Sequence, residues 1–128
     1  MERIPREEIS SLAAELGALP AFADEGPSAY MAANAITQRL MQDLPDQRDI
    51  DGLHELTFGA GWGYNRKPTP QQTVEATLMQ MNLYGSLWQG GHALSVYLAK
   101  TQELLGKDIP ESTRNKISAM ITKISTQS

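Results

Sequence analysis

The segment from Pro70 to Leu105 is apolar on nearly every side when it is drawn as a helix. A helix of this kind is normally enclosed by others, because none of its faces suits contact with water. Its apolar side chains are Val74, Leu78, Met79, Met81, Leu83, Tyr84, Leu87, Trp88, Leu94, Val96, Tyr97, Leu98, Leu104 and Leu105. The segment therefore predicts an all-α protein, a compact bundle of five or six helices around a long apolar central helix.

Glycines interrupt the central segment at Gly85 and at the pair Gly90 and Gly91. Glycine weakens a helix because its backbone loses more conformational freedom on folding than that of other residues. The pair predicts a kink or a break at residues 89–91, which would divide 70–105 into two helices. The alternative is one continuous helix whose glycines permit the close approach of a neighbouring helix.

Two helix start signals stand in the second half of the chain, one before the central segment and one after it. Thr69 is placed as an N-cap, Pro70 takes the first helical position, and Gln72 completes a capping box. Gly106 ends the central segment, and a second capping box at residues 108–111 predicts a last helix. The apolar stripe of that helix comprises Ile109, Thr113, Ile117, Met120, Ile121 and Ile124. An uncovered stripe of this kind would make the helix a dimerisation or docking element.

The first half carries shorter amphipathic patterns. Pro5 can start a first helix, with Gly17 as its C-terminal stop. A second helix is predicted from Pro27 to a point before Pro45, and a third over residues 46–58. The inward residues of the first helix are Ile9, Leu12, Ala13 and Leu16. No segment alternates between apolar and polar residues at period 2, so we expect no sheet.

Length and composition limit the class of protein. The 128 residues predict a single helical domain, with an acidic half at 1–57, a loop at 58–68, an apolar and basic half at 69–124, and a disordered tail at 125–128. The absence of cysteine excludes disulfides and thiolate-bound metals and fits a reducing cytoplasm. Neither an apolar signal-peptide core nor a run of the ~20 apolar residues that span a bilayer is found, so we expect a cytoplasmic protein without a membrane partner.

Charge is divided unevenly between the halves. Residues 1–57 carry four basic and eleven acidic side chains, whereas residues 58–128 carry seven basic and four acidic ones. One interpretation is attraction between the halves within one chain, or between copies of it. The other is a basic C-terminal surface that contacts an acidic partner.

The loop at 58–68 combines three alternating glycines with aromatic and basic side chains. Aromatic rings beside positive charge are typical of protein contact sites. The sequence therefore predicts a partner-binding site at Trp62, Tyr64, Arg66 and Lys67. The alternative is that both rings fold back and cap the end of the bundle.

Tyr84, Trp88 and His92 recur at every fourth residue, so on an unbroken helix they would form one row. Such a row could stack on a planar ligand or hold a general base, which makes it a candidate ligand pocket. The alternative is the partly polar boundary of a buried helix.

No pattern in the chain predicts a catalytic set, a cofactor or a metal site. The acidic residues between Asp43 and Glu55, with His54, lack the spacing of an EF-hand loop or of a Glu-x-x-His site, and we interpret them as a solvated acidic face. The serines stand in no Gly-x-Ser-x-Gly motif, and the glycines of the loop are not followed by the Gly-Lys-Ser/Thr of a phosphate loop.

These patterns favour a non-enzymatic interaction protein, an adaptor, inhibitor or small structural subunit. It would bind a protein partner, or itself, through the loop and the basic C-terminal half. One alternative is a small subunit of a nucleoprotein complex whose basic side chains follow the nucleic-acid backbone. Its candidate contacts, beyond the loop, are Lys100, Lys107, Arg114, Lys116 and Lys123. Another alternative is a ligand or enzyme site around Tyr84, Trp88 and His92.

Overall fold

The apolar segment forms two helices, of which the first ends at Tyr84 and the second begins at Ala93. The computed structural model describes residues 4–20, 37–44, 46–58, 69–87 and 91–126. Within these ranges the helices are α1 Arg6–Gly17, α2 Gln47–Phe58, α3 Pro70–Tyr84, α4 Ala93–Leu105 and α5 Glu111–Thr126, and residues 37–43 are also helical. The predicted all-α bundle is confirmed, whereas one long central helix is not formed.

The break between α3 and α4 begins at Gly85, ahead of the predicted position at 89–91. The Gly85 N–H donates to the Met81 carbonyl at 3.0 Å, and the Gly85 carbonyl accepts from the Ala93 N–H at 2.6 Å. A Cβ atom at Gly85 would lie 2.6 Å from the Ala93 Cβ and closer still to the Met81 carbonyl oxygen. Only glycine fits between these groups, so the first glycine of the segment, and not the later pair, ends α3.

Two short strands close the break. β1 Ser86–Leu87 pairs antiparallel with β2 Gly91–His92, with Ser86 opposite His92 and Leu87 opposite Gly91. A pair of two-residue strands leaves the all-α class of the protein unchanged. A ladder of two residues is too short to show as an alternating pattern in the sequence.

The start of α3 is the one that the sequence predicts. The Thr69 hydroxyl accepts from the Gln72 backbone N–H at 3.1 Å, and the Gln72 side-chain oxygen accepts from the Thr69 N–H at 2.9 Å. This reciprocal pair is a complete capping box with Pro70 at the first helical position. It fixes the end of α3 that lies against α1.

α1 and α3 form the main helix pair of the core. The predicted inward stripe of α1 is buried, and α3 contributes Val74, Leu78 and Met81 to the same core. Gly17 is the last residue of α1 and not the stop beyond it. A Cβ atom there would lie 2.8 Å from the N and Cα atoms of Gln71. The glycine is therefore a close-approach position at which the two backbones meet.

The residue that precedes Pro5 is bound to α3 by a side-chain amide. The Ile4 N–H donates to Asn82 Oδ1 at 3.0 Å, and Asn82 Nδ2 donates to the Ile4 carbonyl at 2.9 Å. Both residues are buried. Asn82 thus satisfies the backbone donor and acceptor of one residue, as a neighbouring strand would do.

The apolar stripe of α5 is covered by the same chain. Ile117 is fully buried, and Ile109, Thr113, Met120 and Ile124 are nearly so. α4 and α1 supply the contacts. A dimerisation element at this helix required an uncovered apolar stripe, and the stripe is covered. α5 also continues through Ser125 and Thr126, so a disordered tail from residue 125 is wrong for these two residues. Their hydroxyls donate to the Ile121 and Lys123 carbonyls at 3.1 and 3.0 Å.

The third predicted helix is present as α2, and Gly52 lies within it. The predicted second helix corresponds in part to the helical residues 37–43, where Thr37 and Leu40 are buried. In the portions of the chain that the structure covers, no helix has both the length and the apolar character needed to cross a membrane.

We expect Thr73→Val to raise the free energy of unfolding by about 1 kcal/mol. The Thr73 side chain is buried, and its hydroxyl has no hydrogen-bond partner, so a methyl group of similar size removes the cost of an unsatisfied polar group. The matched control is Thr77→Val on the same helix, because the equally buried Thr77 hydroxyl donates to the Thr73 carbonyl at 3.0 Å. Urea unfolding of both variants is the measurement, and a loss of stability in Thr73→Val as large as in Thr77→Val would contradict the expectation.

Candidate interaction surface

A cleft of about 350 Å³ lies between α1 and α5. Its apolar floor includes Leu12 and Met120, and charged side chains stand on both rims. The lining residues are Glu7, Glu8, Ser11 and Leu12 of α1, and Lys116, Ala119, Met120 and Lys123 of α5. The acids therefore belong to one helix and the bases to the other.

Two ion pairs cross the cleft and show that the helices run antiparallel. Lys123 Nζ lies 3.0 Å from Glu8 Oε2, and Lys116 Nζ contacts Glu15 Oε2. Glu15 Oε1 also accepts from the Thr113 hydroxyl at 2.6 Å. The hydrogen bond from Lys116, followed by that from Thr113, lowers the pKa of Glu15 below its ordinary value. The carboxylate of Glu15 is thus held in its charged form.

The unequal charge of the two halves is used within the chain at this interface. The first half supplies Glu8 and Glu15, and the second half supplies Lys116 and Lys123. This pairing agrees with the interpretation in which opposite charges attract inside one fold. The sequence did not show which acid pairs with which base, because the paired residues are 101 and 115 positions apart.

Lys100, another of the predicted nucleic-acid contacts, lies in a second ion-pair cluster. Its ammonium group contacts Asp43 and lies 3.0 Å from Glu103, and its side chain is only 10% exposed. The hydrogen bonds that Lys100 donates to Asp43 and Glu103 raise the pKa of Lys100. The bond between Lys100 and Asp43 also lowers the pKa of Asp43. Lys100 therefore joins the helical residues 37–43 to α4, and its ammonium group has little contact with solvent.

Arg114 is directed at backbone carbonyls. Its Nη2 atom donates to Gly106 and, at 3.3 Å, to Ile109, in the turn between α4 and α5. Lys107 is exposed in that same turn. Of the five predicted phosphate contacts in this half, four thus bond to oxygen atoms of their own chain. Three of them, Lys100, Lys116 and Lys123, bond to carboxylates, which offset their positive charge.

The predicted row of Tyr84, Trp88 and His92 does not form on one helix. α3 ends at Tyr84, and His92 lies in β2 as the N-cap of α4, where its Nδ1 atom accepts from the Leu94 N–H at 3.2 Å. The Tyr84 side chain and Trp88 lie outside the described residues. The premise of an unbroken helix is wrong, because Gly85 terminates α3, and with it the geometric basis for a ligand row is lost.

The four predicted partner-binding residues, Trp62, Tyr64, Arg66 and Lys67, lie outside the described residues. Their assignment therefore stays a prediction. The same holds for the alternative in which the rings cap the bundle.

The acidic residues around α2 are not all on a solvated face. Asp49 is buried, Asp46 accepts from the Arg48 backbone at 2.8 Å, and Asp51 accepts from Gln47 at 2.9 Å. The burial of Asp49 corrects the expectation of a uniformly exposed surface. Across the described ranges, no three histidine or carboxylate side chains come together in a group that could hold a metal ion.

Comparison with protein-family models, with curated proteins and with solved structures found no match to this chain.

Proposed function

We propose that this chain is a non-enzymatic helical interaction protein of the cytoplasm, an adaptor, inhibitor or small structural subunit. Its protein partner contacts Trp62, Tyr64, Arg66 and Lys67. Aromatic side chains next to positive charge supply large contact area and directional hydrogen bonds, which is the composition of binding hot spots.

The observation that carries the proposal is the internal use of the basic C-terminal half. Lys116 and Lys123 pair with carboxylates of α1, and Lys100 pairs with Asp43 and Glu103. A protein that binds nucleic acid needs cations that are free to neutralise phosphates. With these cations engaged, the aromatic and basic stretch at 58–68 is the strongest remaining contact candidate in the sequence.

Affinity purification from extracts of the source organism tests the proposal. We expect Trp62→Ala and Arg66→Ala each to reduce recovery of the partner on the order of tenfold, as removal of a hot-spot side chain does. Lys107→Ala, which removes an exposed charge outside this stretch, is the matched control and is expected to recover the partner fully. Equal recovery by all three variants would count against this surface.

A mobility-shift assay with single-stranded DNA and RNA separates the proposal from the nucleoprotein alternative. At low salt we expect no shift, since Lys100, Lys116 and Lys123 each pair with a carboxylate of the same chain and the chain carries a net charge of −4. A shift that weakens steeply as salt rises would favour the alternative.

A further inference from the structure

The surface around the cleft, here called the α1–α5 face, has acids along one helix and bases along the other. It consists of Glu7, Glu8, Ser11 and Glu15 on α1, with Lys116, Ala119 and Lys123 on α5. Because α1 and α5 run antiparallel, Glu8 stands across the cleft from Lys123, and Glu15 stands across it from Lys116. The face therefore has two parallel rows of opposite charge.

The paired charges of this face retain open sides. The side chains of Lys116 and Lys123 are 50% and 46% exposed, and those of Glu8 and Glu15 are 48% and 28% exposed. Each charge thus has one partner in its own chain and water on its outer side. A second ion pair of reversed orientation can approach from that side without breaking the existing pair, whereas a lone anion such as a phosphate is also repelled by the carboxylate of the pair.

We propose that the α1–α5 face binds a second copy of this chain about a two-fold axis parallel to the two helices. Rotation about an axis that runs along the cleft places α1 of one copy over α5 of the other. Glu8 then faces the partner's Lys123, and Glu15 faces the partner's Lys116. Each of these four charges acquires a second neighbour of opposite sign.

The same charges oppose a two-fold arrangement in which like helices meet. An axis perpendicular to the helices, in the plane of the face, would lay α1 on α1 and α5 on α5, with acids against acids and bases against bases. Like charges in direct opposition are destabilising across an interface. The charge pattern therefore selects one orientation of an isologous dimer, in which the same patch is used by both copies.

The shape of the face permits the contact. Ser11 and Ala119, which line the cleft, are small and exposed, so two helix layers can approach closely. Leu12 and Met120 form an apolar floor at the centre. The energy comes chiefly from partly exposed charge networks, which are individually weak and are screened by salt. The association is accordingly a weak one that strengthens at low ionic strength.

Sedimentation velocity of the full chain tests this assembly. We expect a monomer–dimer equilibrium at about 0.05 M salt and a dissociation constant on the order of tenfold higher at about 0.5 M salt. A wild-type chain that stays monomeric at low salt and at roughly millimolar concentration would overturn the proposal, because that range covers weak specific association. A dimer that is indifferent to salt would overturn it equally.

Charge-reversal variants identify the face. We expect two double variants each to be monomeric alone. Glu8→Lys with Glu15→Lys leaves Glu7 as the one acid of the face, and Lys116→Glu with Lys123→Glu makes the face wholly acidic. Mixed in equal amounts, the two should form a heterodimer, because the basic face then meets the acidic one. Failure of the mixture to associate, or dimers of either variant alone, would contradict the assignment.

Two further variants keep the result interpretable. Glu8→Gln with Glu15→Gln removes attraction without adding repulsion, and it should weaken the dimer. This variant replaces the charge-reversed ones if circular dichroism shows that they fold poorly. Lys107→Glu, an exposed reversal outside the face, should dimerise as the wild type does. The proposed dimer contacts include none of the residues of the proposed partner site, so we expect Trp62→Ala to leave dimerisation unchanged whether or not it alters partner recovery.

Discussion

Asn82→Leu is expected to lower the free energy of unfolding by about 3 kcal/mol, since two buried backbone groups lose their partner at once. The Asn82 amide accepts from the Ile4 N–H and donates to the Ile4 carbonyl, and both residues are buried. Leucine has nearly the same size but no polar atom. Chemical denaturation monitored by circular dichroism gives the value.

The same substitution at an exposed asparagine is the control. Asn115 lies on the outer face of α5, and Asn115→Leu should change the stability by no more than about 0.5 kcal/mol. Similar losses in the two variants would show that the amide bridge adds nothing to stability.

Asn82→Asp separates the donor from the acceptor. A carboxylate keeps an acceptor for the Ile4 N–H but cannot donate to the Ile4 carbonyl, and it places a charge in a fully buried site. Burial raises the pKa of such a carboxyl group, so it regains a proton, and with it a donor, as the pH falls. The deficit of this variant relative to the wild type should therefore shrink in mildly acidic solution, and a constant deficit would contradict the assigned role.

Gly17→Ala and Gly52→Ala are expected to change stability in opposite directions. Both glycines lie in helices, where alanine is intrinsically favoured by about 1 kcal/mol. At Gly52 nothing lies within 4 Å of the added Cβ atom, so the variant should gain about 0.5–1 kcal/mol. At Gly17 the added atom meets the Gln71 backbone at 2.8 Å, and the separation of α1 from α3 should cost about 2 kcal/mol or more.

Thermal and urea unfolding of the two variants measure the difference in sign. The intrinsic helix preference favours alanine in both variants, more fully inside α2 than at Gly17, the last residue of α1. A loss of stability in Gly17→Ala therefore reports the contact between α1 and α3. A gain in stability by Gly17→Ala would show that the two helices do not approach each other as closely as described.

The helices themselves were predictable from short stretches of sequence. The stripe at Ile9, Leu12, Ala13 and Leu16 and the capping box at Thr69 and Gln72 depend on residues three or four positions apart, and both are present in the structure. The position of the break was harder to predict. Gly85, Gly90 and Gly91 are equivalent in helix propensity, and only the contact of Gly85 with Ala93 shows which of them ends α3.

For the candidate contact residues, too, the sequence predicted local features but not tertiary contacts. The sequence identified Lys100, Lys116 and Lys123 as cations on the surface of helices, but it did not assign their partners. Asp43, Glu15 and Glu8 are between 57 and 115 residues away. A charge that would be free on an isolated helix is neutralised when another helix packs beside it, and this changes its functional interpretation.

The sequence alone determined the helical class of the protein and most helix starts, because hydrophobic period and end-capping act within a few residues of the chain. Only the tertiary structure decided which backbone groups meet at Gly17, that Asn82 binds Ile4, and that the acids of α1 face the bases of α5. The reason is physical: these contacts join residues far apart in sequence, and their energies depend on distances that exist only after the helices have packed.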